Sequence, residues 1–274
     1  MHPASIARPL LLAAALLSPA ALRASDDPKE SAAQAIARYR ELLQDGNPAD
    51  LWVARGEALW KEKRGPKALS LEGCDLGRGP GVVKGAYAEL PRWFADVDRV
   101  MDLETRLVHC MVTLQGFTAE EATRRTFGDG EKRSDHEALA AWIVDASRGV
   151  PVRAPLSHAK EKAAYALGER IFFYRAGPHD FSCATCHAQG GRRIRLQDLP
   201  NLTAAADAQK AFATWPAYRV SQGEVRTMQW RMTDCLRQQR FPQLVFGSEG
   251  AVALVTYLAH QAQGAAMDAP AIKR

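Results

Sequence analysis

Long apolar runs are missing from this 274-residue chain beyond its first two dozen positions. No later stretch approaches the roughly 20 consecutive apolar residues of a spanning helix, so the body of the chain is not expected to cross a membrane. Strong charge of one sign is missing too. The 36 Lys and Arg stand against 31 Asp and Glu, a formal +5. Setting aside Arg8 and Arg23 leaves +3, too little to point to nucleic acid. Nor does any segment alternate apolar and polar residues as a half-buried strand would, and the expectation is a mainly α chain with Gly- and Pro-punctuated loops. Cysteine is scarce, five in all. Two of them are closely spaced, but no second ligand pair for a zinc knuckle lies near, and no βαβ setting for a thioredoxin-like redox pair.

What is present begins with a leader. His2 and Arg8 precede the apolar run Leu10 to Leu17, and Leu22-Arg23-Ala24 offers a small residue for cleavage. Residues 1–24 read as a secretory signal peptide, with the mature chain starting near Ser25 and an exported, periplasmic location expected. Such a compartment permits disulfides. About 250 mature residues suffice for one or two domains.

The densest chemistry lies in Cys183-Ala184-Thr185-Cys186-His187. Two thiols three positions apart, followed at once by imidazole, form the pattern that attaches c-type haem. Cys183 and Cys186 add to the two vinyl groups, and His187 becomes the proximal ligand of the iron. The motif occurs once, which argues against a two-haem enzyme.

Helical periodicity frames the motif. Ile36, Tyr39 and Leu43 suggest one amphipathic helix ending at Gly46. Asn47 and Pro48 can start a second, with Trp52, Gly56, Leu59 and Trp60 on one stripe. Ser134 and Glu137 read as a capping box ahead of Leu139, Trp142 and Ile143. Ser248 can cap a helix through Val252, Val255 and Leu258, with Gly264 as its stop.

An internal repeat sets the organisation. Gly56-Glu57-Ala58-Leu59-Trp60 with Gly65-Pro66 is echoed 112 positions on by Gly168-Glu169-Arg170-Ile171-Phe172 with Gly177-Pro178, which pairs Cys74 with Cys186. In this register Leu71 stands where the first haem cysteine would be and Asp75 where the ligating histidine would be. Arg106 precedes Cys110 by four, as Arg231 precedes Cys235. The reading is two tandem cytochrome c-like domains related by internal duplication, the first (25–150) without haem and the second (155–264) haem-binding. A linker rich in Gly and Pro, near 149–155, separates them.

Removing the two attachment cysteines leaves Cys74, Cys110 and Cys235. If Cys186 and Cys235 sit near one iron, then Cys74 and Cys110 are neighbours in the first half and are expected to form a disulfide. Cys235 is then the odd thiol, one helical turn from Arg231, whose cation favours thiolate. Spacing alone leaves the distal iron ligand open between Cys235 and the methionines Met228 and Met232. Among the histidines, His109 reads as a neighbour of the disulfide and His260 as a helix-end residue, while His179 could reach a haem edge. The tryptophans read mainly as core. Arg192, Arg193 and Arg195 could meet haem propionates or simply form a solvated basic face, and Arg237 and Arg240 could add steering charge.

The double copy, the single surviving attachment motif and the paired Arg-x-x-x-Cys resemble SoxA, the catalytic subunit of the SoxAX cytochrome of bacterial thiosulfate oxidation, over nearly the whole mature chain. The sequence is similar to the one-haem members. The resemblance implies an L-cysteine S-thiosulfotransferase holding one covalent haem c. In it Cys183 and Cys186 attach the haem, His187 and Cys235 ligate iron, Cys235 carries a catalytic persulfide and Arg231 binds the anionic substrate. It further implies a heterodimer with the cytochrome SoxX, coupling of thiosulfate to a cysteine of the SoxY carrier, and electrons leaving through SoxX to cytochrome c. The competing expectation is a plain periplasmic electron carrier with His/Met ligation.

Overall fold

The computed structural model describes residues 46–194 and 197–273, together with positions 34, 38, 39, 41 and 42. The leader, Ile36 and Leu43 of the first expected helix, and Arg195 lie outside the described residues. In the first half come helix α1 (Asp50–Lys61), the hairpin β1 (Arg92–Phe94) and β2 (Arg99–Met101), α2 (Leu103–Cys110), the short α3 (Ala119–Thr123) and α4 (Asp135–Asp145). The second half holds α5 (Ala159–Phe173), α6 (Cys183–His187), the two-residue strands β3 (Arg193–Ile194) and β4 (Gln197–Asp198), and α7 (Ala205–Phe212). It continues with β5 (Ala217–Arg219), β6 (Glu224–Arg226), α8 (Met228–Gln238), α9 (Glu249–Gln261) and β7 (Ala271–Lys273).

Each half is built on a crossed pair of helices, and a glycine permits each crossing. A Cβ on Gly56 of α1 would lie 2.1 Å from the Ala138 carbonyl oxygen of α4. A Cβ on Gly168 of α5 would lie 2.0 Å from the Ala253 carbonyl oxygen of α9. No larger residue fits where two backbones touch. The stripe read from sequence faces this contact, with Trp52, Gly56, Leu59 and Trp60 buried. Ser134 caps α4 by accepting the Glu137 N–H, as expected. Glu137 does not complete a capping box: its carboxylate instead accepts the Gly128 N–H (2.9 Å) and pairs with Arg226 of the second half (3.0 Å).

Further features recur between the halves. The bridge Arg64 to Leu69 has a counterpart 112 positions on in Ala176 to Phe181, and Ala68 and Asp180, again 112 apart, both take left-handed backbone at φ 49° and 50°. The β1–β2 hairpin followed by α2 is matched 125 positions on by β5–β6 followed by α8. Cys74 and Cys110 are joined in a disulfide with their Cα atoms 5.6 Å apart.

The halves meet through a buried polar seam where α2 and α8 approach by their N-terminal ends. The Gln229 amide donates to Asp102 (2.6 Å) and the Thr227 hydroxyl to Glu104 (2.6 Å). Burial pushes both carboxyls above their ordinary range, Glu104 well above, with the Asp102 charge adding to the effect there. The stretch 149–155, expected to be a linker, is tied to the chain beyond α9. Gly149 N–H donates to Met267 O (2.8 Å), and Val152 N–H to Ala265 O (2.8 Å). The same tail then adds β7 in parallel to β5, so the second half extends past residue 264, where the periodicity of α9 suggested a stop. Such three-residue strands are too short to show a period of two, and β7 is defined only by its distant partner.

Candidate functional site

The second half encloses a cavity of about 580 Å³, within the range of cofactor clefts. Cys183 and His187 of α6 and Arg231 and Cys235 of α8 all line it. Phe172, Trp215, Leu202, Leu236, Leu254 and Leu258 supply apolar wall.

α6 is held by a reciprocal cap. Ser182 Oγ accepts the Thr185 N–H (3.1 Å) and Thr185 Oγ1 accepts the Ser182 N–H (2.9 Å). This fixes the first turn and so the directions of the residues that follow. The His187 ring is oriented by the Pro200 carbonyl, 2.9 Å from Nδ1. A carbonyl oxygen only accepts, so Nδ1 carries the proton and Nε2 keeps its lone pair for a metal. Burial lowers the His187 pKa, the Pro200 bond opposes that, and the Arg231 charge reinforces it. The neutral ring is the ligating form.

On α8, Thr227 caps the helix by accepting the Trp230 N–H, and Arg231 and Cys235 fall one turn apart. Asp234 is buried beside them. It lies 3.7 Å from Arg231, binds Arg237 (2.7 Å) and accepts from Gln238 (2.7 Å). Arg237 is paired with Asp234 while its side chain remains largely exposed. The Arg231 cation was expected to favour thiolate at Cys235. Burial pushes the Cys235 thiol up, and the Arg231 charge acts in the expected direction by lowering it. Desolvation of an anion in an apolar cleft outweighs one half-exposed cation. Met228 and Met232 also line the cavity.

The corresponding positions of the first half are filled. Leu71 is fully buried. The Asp75 carboxylate accepts the N–H groups of Gly77 (2.7 Å) and Gly79 (2.9 Å), making a turn. Arg106 donates to the Asp75 carbonyl (2.7 Å), pairs with Asp96 (2.7 Å) and stacks on Phe94 at 4.1 Å. His109 also pairs with Asp96 (3.4 Å). His260 packs edge-on to Tyr165 and His179 lies against Phe181; neither lines the cleft.

Arg192 binds Gln189 and Arg193 binds Asp198 (3.1 Å), and both are exposed. The other cations at the cleft are Lys210, Arg219 and Lys273. Sequence reading missed these, as it missed Pro200. Arg219, Lys273 and Pro200 take their places from β5, β7 and the loop after α6, none of which has a local periodic signal, whereas Lys210 lies on α7.

The residues fit haem: two thiols on a short capped helix, a neutral histidine with a free Nε2, and a mostly apolar cleft of suitable size. Fold and site define a cytochrome c. A family model for the SoxA/TsdA cytochrome c domain matches residues 55–152 and 167–267. The L-cysteine S-thiosulfotransferase subunit SoxA of Hydrogenophilus thermoluteolus is 50% identical over 252 residues, 92% of each chain. One from Hydrogenobacter thermophilus is 31% identical over 250 residues, 90% of this chain and 91% of its own. The fold is shared with the crystal structure of SoxXA from P. pantotrophus, with a TM-score of 0.71 at 24% identity, covering 86% of this chain and 84% of that one. The chain belongs to the SoxA family.

Proposed function

We propose that this protein is the SoxA-type subunit of an L-cysteine S-thiosulfotransferase, working in the periplasm on thiosulfate and a SoxY carrier cysteine, with SoxX as its partner. The observation that carries the reading is the meeting of Arg231 and Cys235 with Cys183 and His187 around one cleft. In this reading Cys183 and Cys186 attach one haem c, and His187 and Cys235 ligate its iron. The recurring helix pair, bridge and hairpin support an ancestral duplication, with a first domain over 25–150 and a second that comprises 155–264 and the tail through β7. The filled positions of Leu71, Asp75 and Arg106 support a first domain without haem.

The overall chemistry joins a thiolate of charge −1 to thiosulfate of charge −2, giving a cysteine S-thiosulfonate of charge −1 and two electrons. One sulfur–sulfur bond forms. Arg231 presents a fixed guanidinium fork that binds the dianion and neutralises part of its charge. An extra sulfur on Cys235 bonds the sulfane end of thiosulfate as the two electrons depart. The carrier thiolate then attacks that sulfane sulfur, breaks its bond to the extra sulfur and releases the Cys235 persulfide as leaving group, so one difficult step becomes two. A bound haem supplies an outlet for one electron at a time, so the second electron requires another centre, which SoxX provides before cytochrome c.

The test is Cys235→Ala in the purified SoxX complex. Axial ligation changes in the absorption spectrum and thiosulfate coupling is lost, while the haem stays attached. A near-infrared band typical of ferric His/Met haem in the unaltered protein, with the spectrum unmoved by Cys235→Ala, would favour the electron-carrier reading. Intact mass gives an independent check: one haem, one disulfide and one additional sulfur atom are expected.

A further inference from the structure

We propose that Arg219 and Lys273 form the binding site for the two propionate carboxylates of the haem, a role that rests on the haem occupying this cleft. β5 and β7 lie in parallel with Arg219 directly beside Lys273. Side chains alternate across a sheet. Tyr218 and Ile272, the preceding pair in the ladder, therefore face the other way, and the Tyr218 ring meets Trp52 of the first half at 5.6 Å. Arg219 and Lys273 both line the cleft.

A c-type haem bears its two carboxylates on the half of the ring opposite the two carbons that form thioethers. Once Cys183 and Cys186 hold one half, the other brings two negative charges into a cleft whose remaining wall is mostly apolar. Unpaired carboxylates are costly there and need cationic partners. Arg219 offers a planar fork suited to a carboxylate, and Lys273 a second charge beside it. This assigns to the sheet the role that the sequence suggested for Arg192, Arg193 and Arg195.

Arg219→Leu, Lys273→Leu and the double variant, purified as holoprotein with SoxX, test the site by redox titration across pH. Removing a cation beside the carboxylates favours the ferric state. The midpoint potential should fall in each single variant and further in the double. The pH at which the potential begins to depend on pH should rise, and the propionate bending bands in resonance Raman should shift. Arg219→Lys should keep the potential near that of the unaltered protein. The KM for thiosulfate should hold within about twofold. An unchanged potential and pH profile would overturn the assignment. A raised KM with an unchanged potential would overturn it as well, giving these cations to substrate instead. If Arg219→Leu yields no folded protein, Lys273→Leu alone decides by the same readouts. Absence of haem from the unaltered protein, seen by mass, would mark failure of the functional reading itself.

Discussion

Replacing Gly168 by alanine probes the contact on which the second half is built. The added Cβ would sit 2.0 Å from the Ala253 carbonyl oxygen, 2.6 Å from its carbon and 2.9 Å from the Tyr257 Cβ. The nearest obstacles are backbone, so no rotamer change relieves them, and α5 must move away from α9 by more than an ångström. Overpacking of this kind costs about 3 kcal/mol, the upper end of the usual range. Alanine's better helix propensity returns up to about 1 kcal/mol, leaving a net loss of about 2 kcal/mol. Urea denaturation of the holoprotein, with the slope checked for constancy, measures this directly. Gly56→Ala should cost a similar amount, because its Cβ would lie 2.1 Å from the Ala138 carbonyl oxygen. Gly250→Ala on α9 is the control: its Cβ would meet Ile171 Cδ1 at an ordinary 3.5 Å, and stability should change by no more than about 0.5 kcal/mol. A Gly168→Ala loss below about 0.5 kcal/mol, or a Gly250→Ala loss equal to it, would refute the reasoning.

Removing the disulfide with Cys74→Ala and Cys110→Ala together opens a closure of 36 positions and should cost about 3 to 4 kcal/mol on the chain-entropy estimate, read by the same denaturation. Arg231→Ala should raise the KM for thiosulfate at least tenfold on the scale of a lost charge-assisted bond, while haem content stays constant; unchanged kinetics would count against its role. Burial pushes Glu137 from 4.5 up to about 8 despite the Arg226 cation. Its native pKa therefore lies above its unfolded one, so its contribution is fullest below pH 4.5 and declines as pH rises to about 8. Glu137→Gln should flatten this decline in a series of melting temperatures between pH 5 and 8; an unaltered slope would show that another group sets it.

Helices α1, α4 and α9 and the paired cysteines were legible in the chain because their signals are local or repeated. Ser134 and Ser248 cap the helices they precede, and the glycine-centred stripe of α1 and its echo at Gly168 report the two crossings. The 112-position echo brought Cys74 into register with Cys186, and the matched Arg-x-x-x-Cys supplied Cys110. What remained hidden depends on distant partners. Glu137 obeys the pattern of a capping box, yet its carboxylate is drawn across the seam to the buried guanidinium of Arg226. Pro200 contributes through a backbone oxygen, which no side-chain motif records. Arg219 and Lys273, 54 positions apart, meet only because the tail returns beside β5.

The seam between α2 and α8 gives the half without an attachment motif a mechanical task. α8 bears Arg231 and Cys235 midway along, and its first turn is gripped by Asp102 and Glu104 from across the boundary, with Gly247 N–H held by the Gln229 side chain (2.8 Å). The first half is therefore a socket. It clamps one end of α8, so that a load applied at position 235 is resisted by both halves rather than by a single turn.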